Sequence, residues 1–92
     1  MEVHYMRKQC EQILKNLFHE TLVHTRYQVE LTQEQMAAIL MMDVRSYVEL
    51  DHGKSGCSAL TLALYLIYIC SAPLEFLEEL RNAFENESNW AA

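Results

Sequence analysis

Four histidines and three cysteines are the side chains of this sequence best suited to bind a metal or to act as nucleophiles. They are His4, His19, His24, His52, Cys10, Cys57 and Cys70. His19 and His24 lie five residues apart, which on a helix separates them by about 140° and keeps them off one face. The sequence holds no CxxC pair, no HExxH, no glycine-rich phosphate loop and no nucleophile elbow. We therefore expect no catalysis, no metal, no cofactor and no small-molecule ligand.

The cysteines and the apolar runs predict the compartment. Three cysteines leave one thiol unpaired under any disulfide scheme, so reduced thiols are the default expectation. The opening residues, MEVHYMRKQC, have no apolar run behind their charges, which is not typical of a signal peptide. The longest apolar run, residues 59–70, is about half of the roughly 20 residues that span a bilayer. We expect a cytoplasmic protein with no membrane segment.

The composition is typical of one small helical domain. The chain of 92 residues is 51% hydrophobic and contains two glycines and one proline, so a compact core with few loops is expected. The net charge is −6, an acidic balance that is unusual for a nucleic-acid binder. The charge is uneven, however. Residues 57–92 carry five acids and one base, a net of −4, whereas residues 1–56 carry eight acids and six bases, a net of −2.

Apolar spacing and capping residues predict five helices. The first covers about residues 3–28, as one amphipathic helix or two nearly continuous ones, and residues 1–20 form an N-terminal helical extension. Thr32 begins the second helix, and Gln35 completes a capping box with it. Asp43 is the predicted N-cap of the third helix, which covers Val44 to about Asp51 and is terminated by Gly53.

The last two helices follow from the same kinds of signal. Ser58 caps a fourth helix that continues to Ile69. Pro73 stands where a fifth helix begins, and the apolar pattern of that helix ends near Phe84. Residues 85–92 are predicted to form a flexible tail.

Residues 31–54, LTQEQMAAILMMDVRSYVELDHGK, resemble without a gap the helix-turn-helix of the phage-repressor and Cro family, also called the XRE family. The agreement combines a cap, a periodic core and a terminal glycine at fixed offsets. The matching residues are Leu31, Thr32, Gln33, Glu34, Met36, Ala37, Leu40, Tyr47, Leu50, Asp51, Gly53 and Lys54. The resemblance covers about residues 20–80. It implies an all-α, five-helix, lambda-repressor-like DNA-binding domain that carries the N-terminal extension.

The resemblance also implies double-stranded DNA as the partner, with the third helix in the major groove. The residues expected at the DNA are Gln33, Val44, Arg45, Ser46, Glu49, His52 and Lys54. Arg45 is the best candidate for reading a base, because its guanidinium can bond O6 and N7 of guanine together. Gln33 is placed to reach a phosphate. Val44 and Val48 are apolar where the family often has hydrogen-bonding side chains, although either could touch a thymine methyl group.

Other positions of the family pattern concern the structure around that helix. Arg26 is expected to pair with Asp51 and so to tie the first helix to the end of the third. Met41 occupies the position where the family usually has the glycine of the turn, and a left-handed Met would cost about 1 kcal/mol or more. Asp43 places a negative charge close to where a phosphate would lie. Glu49 could accept a hydrogen bond from a cytosine amino group, or it could repel DNA.

The fourth helix is apolar on nearly all sides and must be covered. Either residues 2–20 or a second copy of the chain could cover it, and we expect a homodimer through Leu60, Leu64, Ile67 and Tyr68. Two functions remain open. The first is a sequence-specific DNA-binding transcriptional regulator. The second is a protein-interaction module, such as an antagonist, an assembly partner or an antitoxin-like protein, that keeps the repressor fold without binding DNA.

Overall fold

The computed structural model describes the backbone of residues 2–88 and the side chains of residues 7–86. Within this range the chain forms five α-helices and no strand. The helices are α1 (Glu2–Val29), α2 (Gln33–Ile39), α3 (Val44–Asp51), α4 (Ala59–Leu64) and α5 (Pro73–Ser88), and a π-helical turn (Tyr65–Ile69) continues α4. The expected all-α, five-helix class is confirmed.

Side chains cap the starts of α2 and α4 as expected. The Thr32 hydroxyl accepts a hydrogen bond from the Gln35 backbone N–H at 3.1 Å, and the Gln35 side-chain oxygen accepts one from the Thr32 N–H at 2.9 Å. At α4, the Ser58 hydroxyl accepts a hydrogen bond from the Thr61 N–H at 3.2 Å. These bonds satisfy N–H groups that have no partner inside the helix, which explains why both helices begin where they do.

Three helices end in the same hydrogen-bonding pattern, the Schellman motif, in which one residue takes a left-handed conformation. The left-handed residues are Glu30 (φ 57°) after α1, Met41 (φ 57°) after α2 and Gly53 (φ 74°) after α3. The bond that closes each motif joins the Leu31 N–H to the Arg26 carbonyl, the Met42 N–H to the Ala37 carbonyl, and the Lys54 N–H to the Glu49 carbonyl. Only the third motif has the glycine that adopts this conformation without steric cost.

The structure decides how far the predicted extension and tail are helical. Residues 2–20 of the predicted extension are helical and continue without a break into the rest of α1, whose Phe18 and Leu22 are fully buried in the core. Helix α5 passes its predicted end near Phe84 and continues to Ser88. The first half of the predicted tail at 85–92 is therefore helical, and residues 89–92 lie outside the described residues.

A row of three aromatic rings joins α1, the π-helical turn and α5. The Phe18 and Tyr65 rings meet edge to face with centroids 5.2 Å apart, and Tyr65 meets Phe76 in the same way at 6.1 Å. The Tyr65 hydroxyl lies 3.1 Å from the Thr25 hydroxyl, so this buried polar group keeps a hydrogen-bond partner. Burial raises the pKa of Tyr65 to about 12. The row holds α5 and the π-helical turn against the long first helix.

Leu64 does not belong to an exposed surface, contrary to the expectation that it contributes to a dimer interface. It is 7% exposed and lies beside Thr61 and Tyr65, which are also buried, so this side of α4 faces the core. The other three residues of the predicted interface remain on the surface. Leu60 is 64% exposed, Ile67 68% and Tyr68 66%.

Candidate nucleic-acid interface

Helix α3 is short, and both of its ends are fixed by local hydrogen bonds. At its start, the Asp43 carboxylate accepts hydrogen bonds from the Ser46 backbone N–H and from the Ser46 hydroxyl, both at 2.9 Å. These bonds lower the pKa of Asp43, because they favour the charged carboxylate. At its end, the Gly53 N–H donates to the Leu50 carbonyl at 3.1 Å within the Schellman motif. The eight-residue helix therefore has defined limits.

The C-terminal end of α3 carries a buried carboxylate with four hydrogen-bond donors around it. We call Arg26, Gln33, Tyr47 and Asp51 the Asp51 cluster. One Asp51 oxygen accepts from Arg26 Nε and from the Tyr47 hydroxyl, both at 3.1 Å. The other accepts from Arg26 Nη2 at 3.2 Å and from Gln33 Nε2 at 3.1 Å. The cluster ties α1, α2 and α3 together through one side chain.

The pKa shifts of the residues in the Asp51 cluster agree with these hydrogen bonds. Burial by itself raises the pKa of Asp51, but the hydrogen bonds from Arg26, Gln33 and Tyr47 and the charge of Arg26 outweigh it, so the pKa lies below its ordinary value. The Arg26 pKa is raised, because the bond and charge of Asp51 outweigh the opposing effect of burial. Burial, with the neighbouring Asp51 charge second, raises the pKa of Tyr47. Asp51 is therefore a carboxylate and Tyr47 a neutral donor at neutral pH.

The predicted pair of Arg26 and Asp51 is present in this cluster, whereas Gln33 has a role that the sequence did not indicate. We expected the Gln33 amide to face a phosphate, but its nitrogen donates to Asp51. That nitrogen has two hydrogens, so one donor is still available after this bond forms. The contribution of Tyr47 was also missed, although Tyr47 and Asp51 are four residues apart on one helix and this spacing brings two side chains together.

The flank of α3 that faces away from the core is exposed, from its N-terminal end to the residues just beyond its C-terminal end. Arg45, Glu49, His52 and Lys54 have exposed side chains, and Val44 is 41% exposed. Among the described residues, neither Arg45 nor Lys54 belongs to an ion pair. Both cations are therefore available to an external partner.

Two of the residues expected near the DNA are less accessible. Ser46 is half-buried, and its hydroxyl already donates to Asp43. Val48 is also half-buried, so it offers less apolar surface than Val44. The accessible side chains at the leading end of α3 are therefore the apolar Val44 and, next to it, Arg45 with its free guanidinium.

A shallow, open groove adjoins the Asp51 cluster on the side of α1. Its walls come from the second half of α1, the start of α2 and the end of α3, and they are His19, Val23, Arg26, Tyr27, Thr32, Gln33, Asp51 and His52. The Arg26 guanidinium lies 4.7 Å from the centre of the Tyr27 ring, a cation–π distance. His19 packs against Gly53 on this side, and a Cβ at position 53 would lie 3.2 Å from its ring.

Comparisons with protein-family models, curated protein sequences and solved structures found no match to this chain. Within residues 2–88 no helix is long and apolar enough to cross a membrane. Among the same residues, no three side chains of histidine, cysteine, aspartate or glutamate are grouped so that they could hold a metal ion. All three cysteines are free thiols.

Proposed function

We propose that this protein is a cytoplasmic, sequence-specific DNA-binding regulator that acts as a homodimer, with the exposed flank of α3 in the major groove of double-stranded DNA. The observation that carries the proposal is the arrangement of α3. Its C-terminal end is held by the Asp51 cluster, while its leading end presents Val44 and the unpaired Arg45 to solvent. A rigid helix with a free, exposed arginine at its leading end is suited to reading base edges.

The chemistry of the exposed flank fits the major groove. Arg45 can donate two hydrogen bonds to a guanine, and Val44 can contact the methyl group of a thymine. Lys54 lies just beyond the end of α3, where a cation would neutralise a backbone phosphate. Asp43 and Glu49 oppose binding through their charge, so affinity depends on these few favourable contacts. Residues 57–92 carry a net charge of −4 out of the total of −6, and α3 lies outside that segment.

A second copy of the chain is the proposed cover for the exposed apolar side chains of α4 and its π-helical turn. Residues 55–74 contain no charged side chain and no histidine. Two copies of an acidic protein can therefore meet on this surface without bringing like charges together. Leu60, Ile67 and Tyr68 supply apolar area, and an isologous contact between them would create the two-fold symmetry that palindromic sites require.

In vitro selection from random DNA duplexes, followed by a salt titration, tests DNA binding. A regulator enriches a defined site, binds it at about 50 mM salt and loses affinity steeply as salt rises, because each phosphate contact releases counterions. Arg45→Ala should lose the selected preference at one base pair. Arg81→Ala, which removes an exposed arginine from α5, is the matched control and should select the same sites as the unchanged protein.

The same titration decides between this proposal and a protein-interaction module. The net charge of −6 and the acids at Asp43 and Glu49 favour such a module. A module of that kind would enrich no site and would bind no duplex even at low salt. That result would overturn the proposed function and leave only the helical architecture.

Light scattering tests the dimer separately. Tyr68→Ser should lower the mass from that of a dimer towards that of a monomer at micromolar concentration, since it removes a large apolar side chain from the proposed contact. Val29→Ser removes an exposed apolar residue at the end of α1 and should leave the mass unchanged. A monomeric mass for the unchanged protein would contradict the dimer.

A further inference from the structure

The first half of α1 carries lysines that have no acidic partner. Residues 7–15 contain three bases and one acid, a net charge of +2 in a chain whose total is −6. Lys8 and Lys15 are seven residues apart, which on a helix places them on one face and about 10 Å apart along the axis. Within residues 7–86 neither lysine forms an ion pair, although Glu11 lies between them. Both ammonium groups are therefore available to an external anion.

These lysines lie beside the loop that joins α3 to α4. An open groove of about 450 Å³ is lined on one side by Lys8, Glu11 and Lys15, and on the other by Gly56 and Cys57. Gly56 is exposed, and a Cβ added to it would meet nothing within 4 Å. Its backbone N–H has no acceptor among the described residues. The groove thus combines two ammonium groups with an open backbone donor, and both kinds of group bind phosphate oxygens.

The groove adjoins the end of the exposed flank of α3. His19 of α1 packs against Gly53, which terminates α3. The groove lies farther towards the start of α1, and Gly56 on its other side comes two residues after Lys54. Two residues span at most about 7 Å. Lys54, the phosphate contact proposed above, is therefore next to the groove, and a DNA strand bound at Lys54 could continue across it.

The α3 flank alone supplies no net attraction to DNA. Arg45 and Lys54 are balanced by Asp43 and Glu49, so these four side chains have a formal net charge of zero. The sequence-independent part of DNA affinity comes from cations that neutralise phosphates. A protein that binds DNA through this flank therefore needs cations from another element, and the first half of α1 has them.

We propose that Lys8 and Lys15 bind the phosphate backbone of the DNA duplex, so that α1 extends the contact made by Lys54. This inference rests on the proposed function and adds a second DNA-binding element to it. Each ammonium group would approach a phosphate oxygen, and the Gly56 N–H would donate to one of them. Such contacts carry no sequence information. They raise the affinity for every duplex, while α3 selects the site.

Salt titrations of charge variants test the proposal. The affinity of each full-length variant is measured for the selected site and for a random duplex of the same length. Lys8→Gln and Lys15→Gln should each weaken both duplexes alike, and each should reduce the slope of log affinity against log salt by about 0.9, the value of one phosphate contact. Glu11→Gln should strengthen both duplexes, because it removes the negative charge between the two lysines.

Two controls separate a phosphate contact from a general effect of charge or folding. Arg81→Gln changes the net charge by the same one unit as Lys8→Gln, but it lies on α5 beside Glu85 and should leave the affinity and the slope unchanged. Lys15→Arg keeps the charge and should keep the slope. Because Lys8 is exposed, Lys8→Gln keeps the test valid even if a change at the half-buried Lys15 impairs folding.

Three outcomes would overturn the proposal. If the unchanged protein binds its selected site and Lys8→Gln behaves like Arg81→Gln, the α1 contact fails and the proposed function stands. If Lys15→Arg reduces the slope as much as Lys15→Gln does, position 15 acts through packing and not through its charge. If the unchanged protein binds no duplex even at about 50 mM salt, the proposed function and this inference fail together.

Discussion

The two ends of α3 differ in almost every physical respect. At the C-terminal end, Asp51 is 5% exposed and accepts four hydrogen bonds from residues of three helices. At the N-terminal end, Val44 and Arg45 face solvent, and Met41 before them is 74% exposed in a left-handed conformation. One end thus determines where the helix lies, and the other is available for contact. Changes at the first should alter stability, and changes at the second should alter recognition.

The largest effect is expected from Asp51→Ala. The change leaves the Arg26 guanidinium, which is 13% exposed, without its carboxylate and removes the acceptor of Gln33 and Tyr47. The free energy of unfolding should fall by about 3 kcal/mol, because a largely buried charge loses its partner. Urea denaturation followed by circular dichroism measures the loss. Asp43→Ala, which removes only the exposed cap of the same helix, should lose less, and an equal loss would show that the cluster does not hold α3.

Arg45→Ala tests the exposed end. If the proposed function holds, discrimination at one base pair should fall by about 1–3 kcal/mol, while the free energy of unfolding stays unchanged. Lys54→Ala should instead weaken binding to all duplexes alike, because a phosphate contact carries no sequence information. Competition binding with single-base variants of the selected site separates the two. If Arg45→Ala lowered the free energy of unfolding and left base discrimination unchanged, the proposed difference in role between the two ends of α3 would be contradicted.

A smaller effect of opposite sign is expected at Met41. A left-handed L-residue costs about 1–2 kcal/mol, and part of any gain is offset because glycine is freer in the unfolded chain. Met41→Gly should therefore raise the free energy of unfolding by about 0.5–1 kcal/mol. Gly53→Ala makes the reverse change in the matching motif and should lower stability, since its Cβ would also lie 3.2 Å from the His19 ring. A destabilised Met41→Gly protein would show that the Met41 side chain makes a favourable contact.

The smallest effect is a pH dependence of the Asp51 cluster. The folded state lowers the Asp51 pKa below its ordinary value of 3.8, so this group's stabilisation is complete above that value and is lost as pH falls through the lower, folded-state pKa. The difference in unfolding free energy between the unchanged protein and Asp51→Asn should be constant above about pH 5 and should narrow below it. Urea midpoints measured across this range would show the narrowing. If the difference in unfolding free energy stayed constant to the lowest pH, Asp51 would not be the charged carboxylate assigned to the folded state.

Signals that act over three or four residues were readable from the sequence. The caps at Thr32, Asp43 and Ser58 and the end of α3 at Gly53 all depend on backbone groups nearby in the chain, and the structure contains each of them. The extent of α1 is close to the predicted residues 3–28, although apolar spacing did not decide between one helix and two. These features required no knowledge of the tertiary packing.

Features that depend on packing between distant elements were harder to predict. The bond from Gln33 to Asp51 joins residues 18 apart in sequence, so spacing alone gave no sign of it. Leu64 appeared equivalent to Leu60 on an apolar helix, and only the contacts of α4 with the core distinguish them. The partner of Arg26 was available from the family resemblance rather than from spacing. The assignment of the exposed flank to DNA remains a prediction.

The π-helical turn after α4 offers a simple way in which the exposed apolar surface of Leu60, Ile67 and Tyr68 could diversify. There the Cys70 N–H donates to the Tyr65 carbonyl at 2.8 Å, one residue farther along the chain than in an α-helix. Deleting one residue between these positions would restore regular winding and rotate everything beyond it relative to Leu60. Deletion of a single codon could thus present a different set of side chains to a neighbouring molecule. The contact between Phe18 and Tyr65 in the aromatic row, which precedes the deletion, would be kept.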